Sequence, residues 1–311
     1  MPLNDSGAVM TSPLVILGPT ASGKSDVGMA YAQSQPGREI VAVDAMQVYR
    51  RLDIGTAKPS IADQAAVAHH GINLVEPSAD FAVTEYVVAA TAALADIAER
   101  NAEAVLVAGT GLYLRTLTDP MEIPGRWPEV RAALEQRVLE EGVPSLHAQL
   151  VLVDPLAASR MEPTNGRRVV RALEVTLGGG RPFSSFGDGV ASYPSINFRM
   201  VGLRWERPRL AQRIADRVER MMAAGLLAEV DAVVNDPGGL SRTARQALGY
   251  KELIEHLDGT VSLDEAVGMI IVRTRQFAVR QERWFRRDPR IRWFDVHDDP
   301  VAELLPLLAP A

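Results

Sequence analysis

Cysteine is absent from this chain of 311 residues, and histidine occurs only five times. The lack of cysteine excludes disulfides, thiolate nucleophiles, iron–sulfur clusters and cysteine zinc sites, and the scattered histidines argue against a metal cage. The sequence also has no run of 18 apolar residues and no basic segment ahead of its first short apolar run. We therefore expect neither a membrane span nor a secretory leader, and we expect a cytoplasmic protein.

Lysine is also scarce, because only Lys24, Lys58 and Lys251 are lysines among the 33 basic residues. A chain that prefers arginine keeps lysine by chance or where a compact ammonium is needed. The net charge of −6 argues by itself against a nucleic-acid partner. The segment 273–292, however, contains eight arginines and two carboxylates, so it carries +6 and the remainder −12. This basic stripe suggests a docked polyanion, although a solvated helix face gives the same pattern.

Short apolar strands alternate with helices over the first 115 residues. Strands are predicted at 13–18, 39–45, 71–77 and 102–110, and Thr84 is predicted to cap the helix that precedes the last of them. This alternation is typical of βαβ units. It predicts an α/β fold with a parallel sheet.

Helices follow one another without strands from about residue 116 to residue 196. One is predicted from Pro128 to Gly142, and another from an Asn165 cap to Gly178. We therefore predict an inserted helical subdomain at 116–196 and a core made of 1–115 and 197–311.

The second part of the core is predicted to contain both strands and helices. Its predicted elements are a strand at 198–205, a long helix from Arg209, a helix around 246–257, a helix from Ser262 to about 287 and a strand at 291–296.

A phosphate-binding motif lies between the first strand and the first helix. Gly18, Gly23, Lys24 and Ser25 satisfy the pattern G-x-x-x-x-G-K-[ST] in the strand-to-helix context that it requires. The glycines let the backbone wrap a phosphate, Lys24 adds positive charge, and the Ser25 hydroxyl can ligate Mg²⁺. The motif predicts a P-loop NTPase-like core that binds a diphosphate through the whole loop: Gly18, Pro19, Thr20, Ala21, Ser22, Gly23, Lys24 and Ser25.

The loop does not identify what the diphosphate is attached to. None of the lysines lies in an N-K-x-D motif, which argues against a GTPase, and Thr110 stands where a motor-type ATPase has a strand-end carboxylate. Asp44 closes the second strand at the sheet edge where open α/β proteins keep their active sites. It is a candidate catalytic carboxylate, although a strand-end Asp also caps turns. A nucleotide or small-molecule kinase shares these features.

Six ordered segments resemble one family, the tRNA dimethylallyltransferases, also called tRNA isopentenylpyrophosphate transferases. The resemblance covers residues 14 to about 295, and six motifs in order are far more specific than any one of them. The segments are GPTASGKS (18–25), VDAMQVYRRLDIGTAKPS (43–60), AGTGLYL (108–114), RRVVRALE (167–174), RQALGYKEL (245–253) and TRQFAVRQERWFRR (274–287).

In that family the loop binds the pyrophosphate of dimethylallyl diphosphate, and the acceptor is the exocyclic amine of adenosine-37 beside the tRNA anticodon. The resemblance implies Asp44 as general base and Thr110 holding the diphosphate and the geometry of Asp44. The chemistry of the phosphate loop predicts Mg²⁺ as cofactor and Lys24 at the leaving group. No contact is assigned to Lys58. The implied contacts with the tRNA anticodon stem-loop are Asp44, Ala45, Met46, Gln47, Arg167, Arg168, Arg171, Arg245, Gln246, Gly249, Tyr250, Lys251, Arg280, Gln281, Arg283 and Arg286.

The helix predicted from Ser262 carries two rows at helical spacing. The first is a polar stripe of Gln276, Arg280, Arg283 and Arg287, which the family context assigns to RNA phosphates. The second is an apolar row that we expect in the core: Ile270, Phe277 and Trp284.

The sequence departs from the family pattern at four positions. Ala45 replaces a usual serine, Asn73 a common aspartate, Ala108 a usual glycine and Val279 a frequent lysine. The departures put in doubt any role of a hydroxyl at 45 or a charge at 279.

Two further alternatives stay open. They are an adenylate isopentenyltransferase, whose acceptor is a free nucleotide, and a non-catalytic RNA-binding P-loop protein. Nothing in the sequence implies a protein partner, so we expect a monomer.

Overall fold

A computed structural model describes residues 12–187 and 189–308 of the chain. Within these residues six strands form one sheet: β1 (Leu14–Leu17), β2 (Arg38–Val43), β3 (His69–His70), β4 (Glu103–Ala108), β5 (Arg199–Trp205) and β6 (Arg292–Val296). The strand order is β3-β2-β4-β1-β5-β6, and every neighbouring pair is parallel. This sheet confirms the predicted α/β fold.

The central strand β1 shows why the sheet is covered on both faces. All four of its residues are fully buried. Because alternate residues point to opposite faces, Val15 and Leu17 pack in one apolar cluster, and Leu14 and Ile16 pack in another. The phosphate loop therefore begins at the carboxyl end of a strand that is surrounded by packed side chains.

Helices cover the two faces of the sheet. The elements before the insertion are α1 (Lys24–Gln33), α2 (Ile61–Ala66), α3 (Val83–Glu99) and α4 (Gly111–Thr118). Those after it are α9 (Arg207–Ala223), α10 (Leu226–Val234), α11 (Tyr250–Leu257), α12 (Leu263–Phe285) and α13 (Pro300–Leu308), with a short 3₁₀ turn at Ala244–Gln246. None of the helices in the described residues has the length and apolar character needed to cross a membrane.

The prediction of a strand at 71–77 is wrong. The third strand is His69–His70, and of the predicted residues only Val75 makes an isolated parallel bridge, to Tyr49. The extended run is broken because Gly71 has φ +78° and Asn73 has φ +53°. A Cβ on Gly71 would lie 2.5 Å from the Ala42 carbonyl oxygen, so glycine is required for this close approach.

Predicted helix ends were right at some positions and wrong at others. The helix predicted from Ser262 to about 287 is α12, which ends at Phe285; Ser262 is its N-cap, since its hydroxyl accepts the Glu265 N–H. Thr84, in contrast, lies inside α3, because Ala82 is the capping position and the Glu85 carboxylate accepts the Ala82 N–H at 2.8 Å. The long helix predicted from Arg209 begins two residues earlier, at Arg207.

By internal packing the chain forms two units, one up to Thr118 and again from Ser195, the other Asp119–Pro194. The second unit contains α5 (Pro128–Glu141), α6 (Val143–Val153), α7 (Pro155–Ser159) and α8 (Gly166–Gly179) around an apolar cluster of their own.

Two predicted helices of this second unit are present, with one changed end. Pro128 begins α5, and the Asn165 side chain caps α8 as predicted. Gly178 does not end α8, which ends one residue further, at Gly179, and is followed by the left-handed Gly180. Gly178 instead leaves room for the Trp127 ring, because a Cβ there would lie 2.2 Å from Trp127 Cγ.

Candidate active site

The phosphate loop links β1 to α1, and its backbone requires glycine at position 23, directly before the helix. Gly23 precedes α1 with φ +86°, and a Cβ on it would lie 2.4 Å from Cγ of Pro300. Two further contacts hold the loop: the Trp205 indole N–H donates to the Ser22 carbonyl at 2.9 Å, and Arg213 Nε donates to the Ala21 carbonyl at 2.9 Å. The loop is thus fixed by strand β5 and helix α9.

Lys24 lies at the start of α1, where its ammonium donates to the Pro19 carbonyl at 3.3 Å. Burial and the neighbouring Arg217 guanidinium lower the pKa of Lys24 to about 8, while Asp44 acts in the opposite direction. The ammonium is therefore still mostly charged at pH 7. It is a poorly solvated cation that an anionic ligand would stabilise.

Asp44 follows β2 and is oriented by the next residues of the chain. Its Oδ1 accepts the Met46 N–H at 2.8 Å and the Gln47 N–H at 3.3 Å. Thr110 fixes the same segment from the end of β4, because its hydroxyl accepts the Ala45 N–H at 3.1 Å. Since this bond uses the backbone of Ala45, the missing serine hydroxyl does not weaken it.

Gly109 is where the two charged groups meet. A Cβ on Gly109 would lie 3.1 Å from Asp44 Oδ2 and 3.3 Å from Lys24 Cε. The Gly109 and Thr110 N–H groups both donate to the Val43 carbonyl, at 3.1 and 3.2 Å. The structure therefore brings Asp44, Lys24 and Thr110 together, as the sequence predicted from three separate motifs.

Gln281 also belongs to this cluster, although the sequence grouped it with the tRNA contacts. It is 8% exposed; its amide accepts the Thr20 N–H at 2.8 Å and donates to the Gly109 carbonyl at 2.7 Å. Both ends of the amide thus bind the protein. Gln281 joins the phosphate loop to the end of β4.

A cleft of about 310 Å³ opens beside Lys24 and Ser25. One wall is a row of three arginines on α9, at positions four and three residues apart: Arg213, Arg217 and Arg220. Burial lowers the pKa of Arg217, while Asp44 opposes this effect. Sequence reasoning missed the row, although its spacing places all three side chains on one helix face.

The segment after Asp44 also lines the cleft, through Ile54 and Ala57. Gln47 holds this segment, because its amide donates to the Thr56 and Ala57 carbonyls, both at 3.1 Å. The contacts of Lys58, which the sequence left unassigned, are also here: its ammonium donates to the Tyr49 carbonyl and to the side chains of Asp53 and Asn73.

The other implied tRNA contacts lie on different surfaces. On α12, Arg280, Arg283 and Gln276 are exposed, as are Arg286 and Arg287 directly after it; Ile270 is buried, and Phe277 and Trp284 are partly buried. Ala45, Met46 and Gln47 are half-buried beside Asp44, whereas Arg245 and Gln246 are exposed. In the second unit, Arg167 and Arg168 are exposed at the start of α8, and Arg171 is half-buried and ion-paired with Glu174.

Tyr250, another of the implied tRNA contacts, lies in the interior of the fold. It is fully buried, and its hydroxyl donates to the Glu229 carboxylate. The left-handed Gly249 precedes it at the start of α11, and Lys251 beside it is half-buried. The ring of Tyr250 therefore supports the fold from inside.

A metal ion at this site would depend on few protein ligands. Among residues 12–187 and 189–308 no group of three or more His, Cys, Asp or Glu side chains is arranged to hold one. Ser25 is exposed, lines the cleft and follows Lys24 directly. This donor set suits Mg²⁺, which commonly keeps several waters and is held by one or two protein oxygens together with substrate phosphates.

A family model and the most similar proteins compared with this chain indicate the same family. The model of the IPP transferase family matches residues 47–288. A tRNA dimethylallyltransferase of Kineococcus radiotolerans is 44% identical over 317 aligned positions, which cover 96% of this chain and 98% of that protein.

Solved structures agree with this match. A tRNA isopentenylpyrophosphate transferase of Bacillus halodurans is 36% identical with a TM-score of 0.68, over 96% of this chain and 94% of that one. A eukaryotic dimethylallyltransferase acting on tRNA is 26% identical with a TM-score of 0.78, over 96% of this chain and 78% of that one. The chain therefore belongs to the IPP transferase family.

Proposed function

We propose that this protein transfers the dimethylallyl group of dimethylallyl diphosphate to the exocyclic amine of adenosine-37 in tRNA. The observation that supports the proposal is that the side chains of Lys24 and Asp44 meet at Gly109, since the reaction needs a cation for the leaving group close to a proton acceptor. Family membership supports the same reaction.

The reaction breaks one carbon–oxygen bond and forms one carbon–nitrogen bond. As the bond from C1 of the allyl group to the diphosphate oxygen breaks, the electron pair leaves with the diphosphate. The amine nitrogen bonds to that carbon, and its proton moves to the Asp44 carboxylate. The products are isopentenyladenosine in tRNA and free diphosphate.

The donor side of the site stabilises the growing negative charge on the diphosphate. The phosphate loop that carries Lys24 is already held by Gln281, Trp205 and Arg213 before the reaction, so little reorganisation is needed. The arginine row of α9 adds positive charge along the same cleft. Ser25 would help hold a Mg²⁺ ion, which when bound neutralises further charge on the departing diphosphate.

The acceptor side of the site orients the Asp44 carboxylate, the proposed general base. Met46 and Gln47 N–H groups fix Oδ1 of Asp44, and Thr110 fixes the backbone that follows it. The adenine must leave its stack to reach this carboxylate, at a cost of about a few kcal/mol. Contacts between the exposed arginines and the anticodon stem-loop offset that cost.

The direct test incubates the purified chain with unmodified tRNA, Mg²⁺ and dimethylallyl diphosphate, followed by mass analysis of the tRNA nucleosides. We expect adenosine to gain one C₅H₈ unit at a single position. Replacing tRNA by AMP tests for an adenylate isopentenyltransferase, and replacing the prenyl diphosphate by ATP tests for a kinase. A prenylated AMP, or a phosphorylated product, would contradict the proposal. Monomeric state and cytoplasmic location stay predictions.

A further inference from the structure

A single carboxylate on α10 caps the turn that forms one wall of the donor cleft. Glu229 accepts three consecutive backbone N–H groups of this turn, from Asp53 at 3.0 Å, Ile54 at 2.8 Å and Gly55 at 3.0 Å. Hydrogen bonds to an ionised acceptor are stronger than neutral ones. One side chain from a distant part of the sequence therefore fixes the backbone of residues 53–55.

A second residue holds Glu229 itself. The Tyr250 hydroxyl donates to Oε1 of Glu229, and burial together with this carboxylate raises the pKa of Tyr250, so that it stays a donor. The Tyr250 ring also packs directly against the turn, because a Cβ on Gly55 would lie 2.4 Å from Tyr250 Cε2. The position of the turn is thus fixed by the Glu229 carboxylate, which accepts its N–H groups, and by the Tyr250 ring packed against Gly55.

The turn matters to the site through the side chains it carries. Ile54 and Ala57 line the cleft together with Lys24 and Arg217, whereas Glu229 does not line it. The same segment accepts hydrogen bonds from Gln47, which follows Asp44 by three residues. A shift of the turn would therefore alter the donor cleft first, and the Asp44 segment only through Gln47.

We propose that Glu229 is a positioning residue for the prenyl diphosphate, because it fixes the turn that lines the cleft together with Lys24 and the arginine row. This proposal rests on the proposed function. Without the carboxylate, three N–H groups lose their acceptor and the turn must move or recruit water. The cleft then loses its complementarity to the donor, while Lys24 and Asp44 keep their own contacts.

The test is the steady-state kinetics of Glu229→Gln. This substitution keeps the size of the side chain but places an amide NH₂ against the backbone N–H donors of residues 53–55. We expect the KM for dimethylallyl diphosphate to rise about tenfold, while kcat and the KM for tRNA stay within about threefold. Glu103→Gln is the matched control. Glu103 also accepts a tyrosine hydroxyl, that of Tyr31, but it is the first residue of β4 and does not line the cleft. This control should lower the melting temperature without changing either KM.

Gly55→Ala disturbs the same turn and leaves the carboxylate in place. It should raise the KM for dimethylallyl diphosphate as Glu229→Gln does. If both variants keep the wild-type KM for the donor, or if kcat and the KM for tRNA change as much as the donor KM, the positioning role is wrong. A wild-type chain that prenylates no tRNA would contradict the proposed function as well, so the two failures are distinguishable.

Discussion

Helices α9 and α12 each carry a row of arginines at helical spacing, yet the two rows have different surroundings. Arg213, Arg217 and Arg220 line the cleft beside the phosphate loop. Arg280 and Arg283 of α12 are exposed. The contacts differ as well: Arg213 donates to the loop backbone and stacks on Trp205, whereas Arg280 lies 5.7 Å above the Phe277 ring on its own helix.

The difference shows that residue type and spacing do not determine the role of an arginine row. A desolvated guanidinium in a cleft favours a small anion that fills the space, whereas an exposed one gains little from a single ion pair and suits an extended polyanion. We therefore expect the α9 row to act on the prenyl diphosphate and the α12 row on tRNA. Substitutions in each row and in the catalytic cluster test this division.

Asp44→Asn should give the largest effect, because it removes the proton acceptor and leaves both rows intact. We expect a loss of roughly 10²–10⁴ in the single-turnover rate, with the affinities for both substrates preserved. The asparagine oxygen can still accept the Met46 N–H, so the turn should survive and the melting temperature should change little.

Single-turnover rates at saturating tRNA and several Mg²⁺ concentrations measure this effect. Rescue of the Asp44→Asn rate by excess Mg²⁺ would make Asp44 a metal ligand. A near-normal rate would exclude the general-base role altogether.

Lys24→Ala should follow, with turnover lowered at least ~100-fold, because the charge next to the leaving diphosphate is lost. The affinity for tRNA, measured by filter binding, should stay nearly unchanged. If tRNA binding collapsed together with turnover, the phosphate loop would contact RNA, and the assignment of separate donor and tRNA surfaces would be wrong.

Arg217→Ala compared with Arg283→Ala tests the two rows directly. We expect Arg217→Ala to lower kcat/KM for dimethylallyl diphosphate roughly 10- to 100-fold, since it removes a charged donor from the cleft. Arg283→Ala should leave that value within about twofold at saturating tRNA. Equal losses in the two variants would show that the rows do not divide the substrates between them.

The sequence predicts the site best where a local motif dictates the backbone. The phosphate loop needs only residues 18–25, and Asp44 and Thr110 were located because each follows an apolar strand of a parallel sheet. Their meeting follows from strand order, since β2 and β1 both pair with β4. Topology of this kind is a general property of open α/β sheets.

Contacts between distant segments could not be predicted in the same way. Gln281 lies among arginines in the sequence, and only its packing against Thr20 and Gly109 turns it inward. The α9 row was missed because acidic and apolar residues separate its members, so no charge run marks it. Tyr250 and Glu229 meet through tertiary packing that neither local segment reveals.

The pKa of Lys24 predicts a pH effect of intermediate size. Because its pKa is lowered to about 8, the ammonium is lost as the pH rises through 8. The KM for dimethylallyl diphosphate should therefore increase above pH 8, by up to about tenfold per pH unit. Lys24→Arg keeps its charge in this range and should flatten the profile. An unchanged slope in this variant would assign the titration to another group.

The same titration of Lys24 should raise the free energy of unfolding with pH, whereas it lowers the affinity for dimethylallyl diphosphate. Between about 8 and the ordinary lysine value of 10.5, the unfolded chain holds the proton that the folded chain has released. The contribution of Lys24 to the free energy of unfolding therefore rises with pH over this interval. If the affinity for dimethylallyl diphosphate falls at pH 8–9 while the free energy of unfolding does not fall, the loss of affinity arises in the cleft and not from unfolding.

The smallest effects are expected on α12, where Arg280→Ala and Arg283→Ala each remove one exposed charge. Each variant should weaken tRNA binding a few-fold at low salt and reduce the slope of log affinity against log salt concentration by about 1, because one fewer phosphate is neutralised. Kinetics at saturating tRNA should barely change. Gln276→Ala is the matched control, since Gln276 is exposed on the same stripe but uncharged, and its salt slope should equal that of the wild type. Slopes that do not change in either arginine variant would make the α12 row an ordinary solvated helix face, and the tRNA would then have to dock elsewhere.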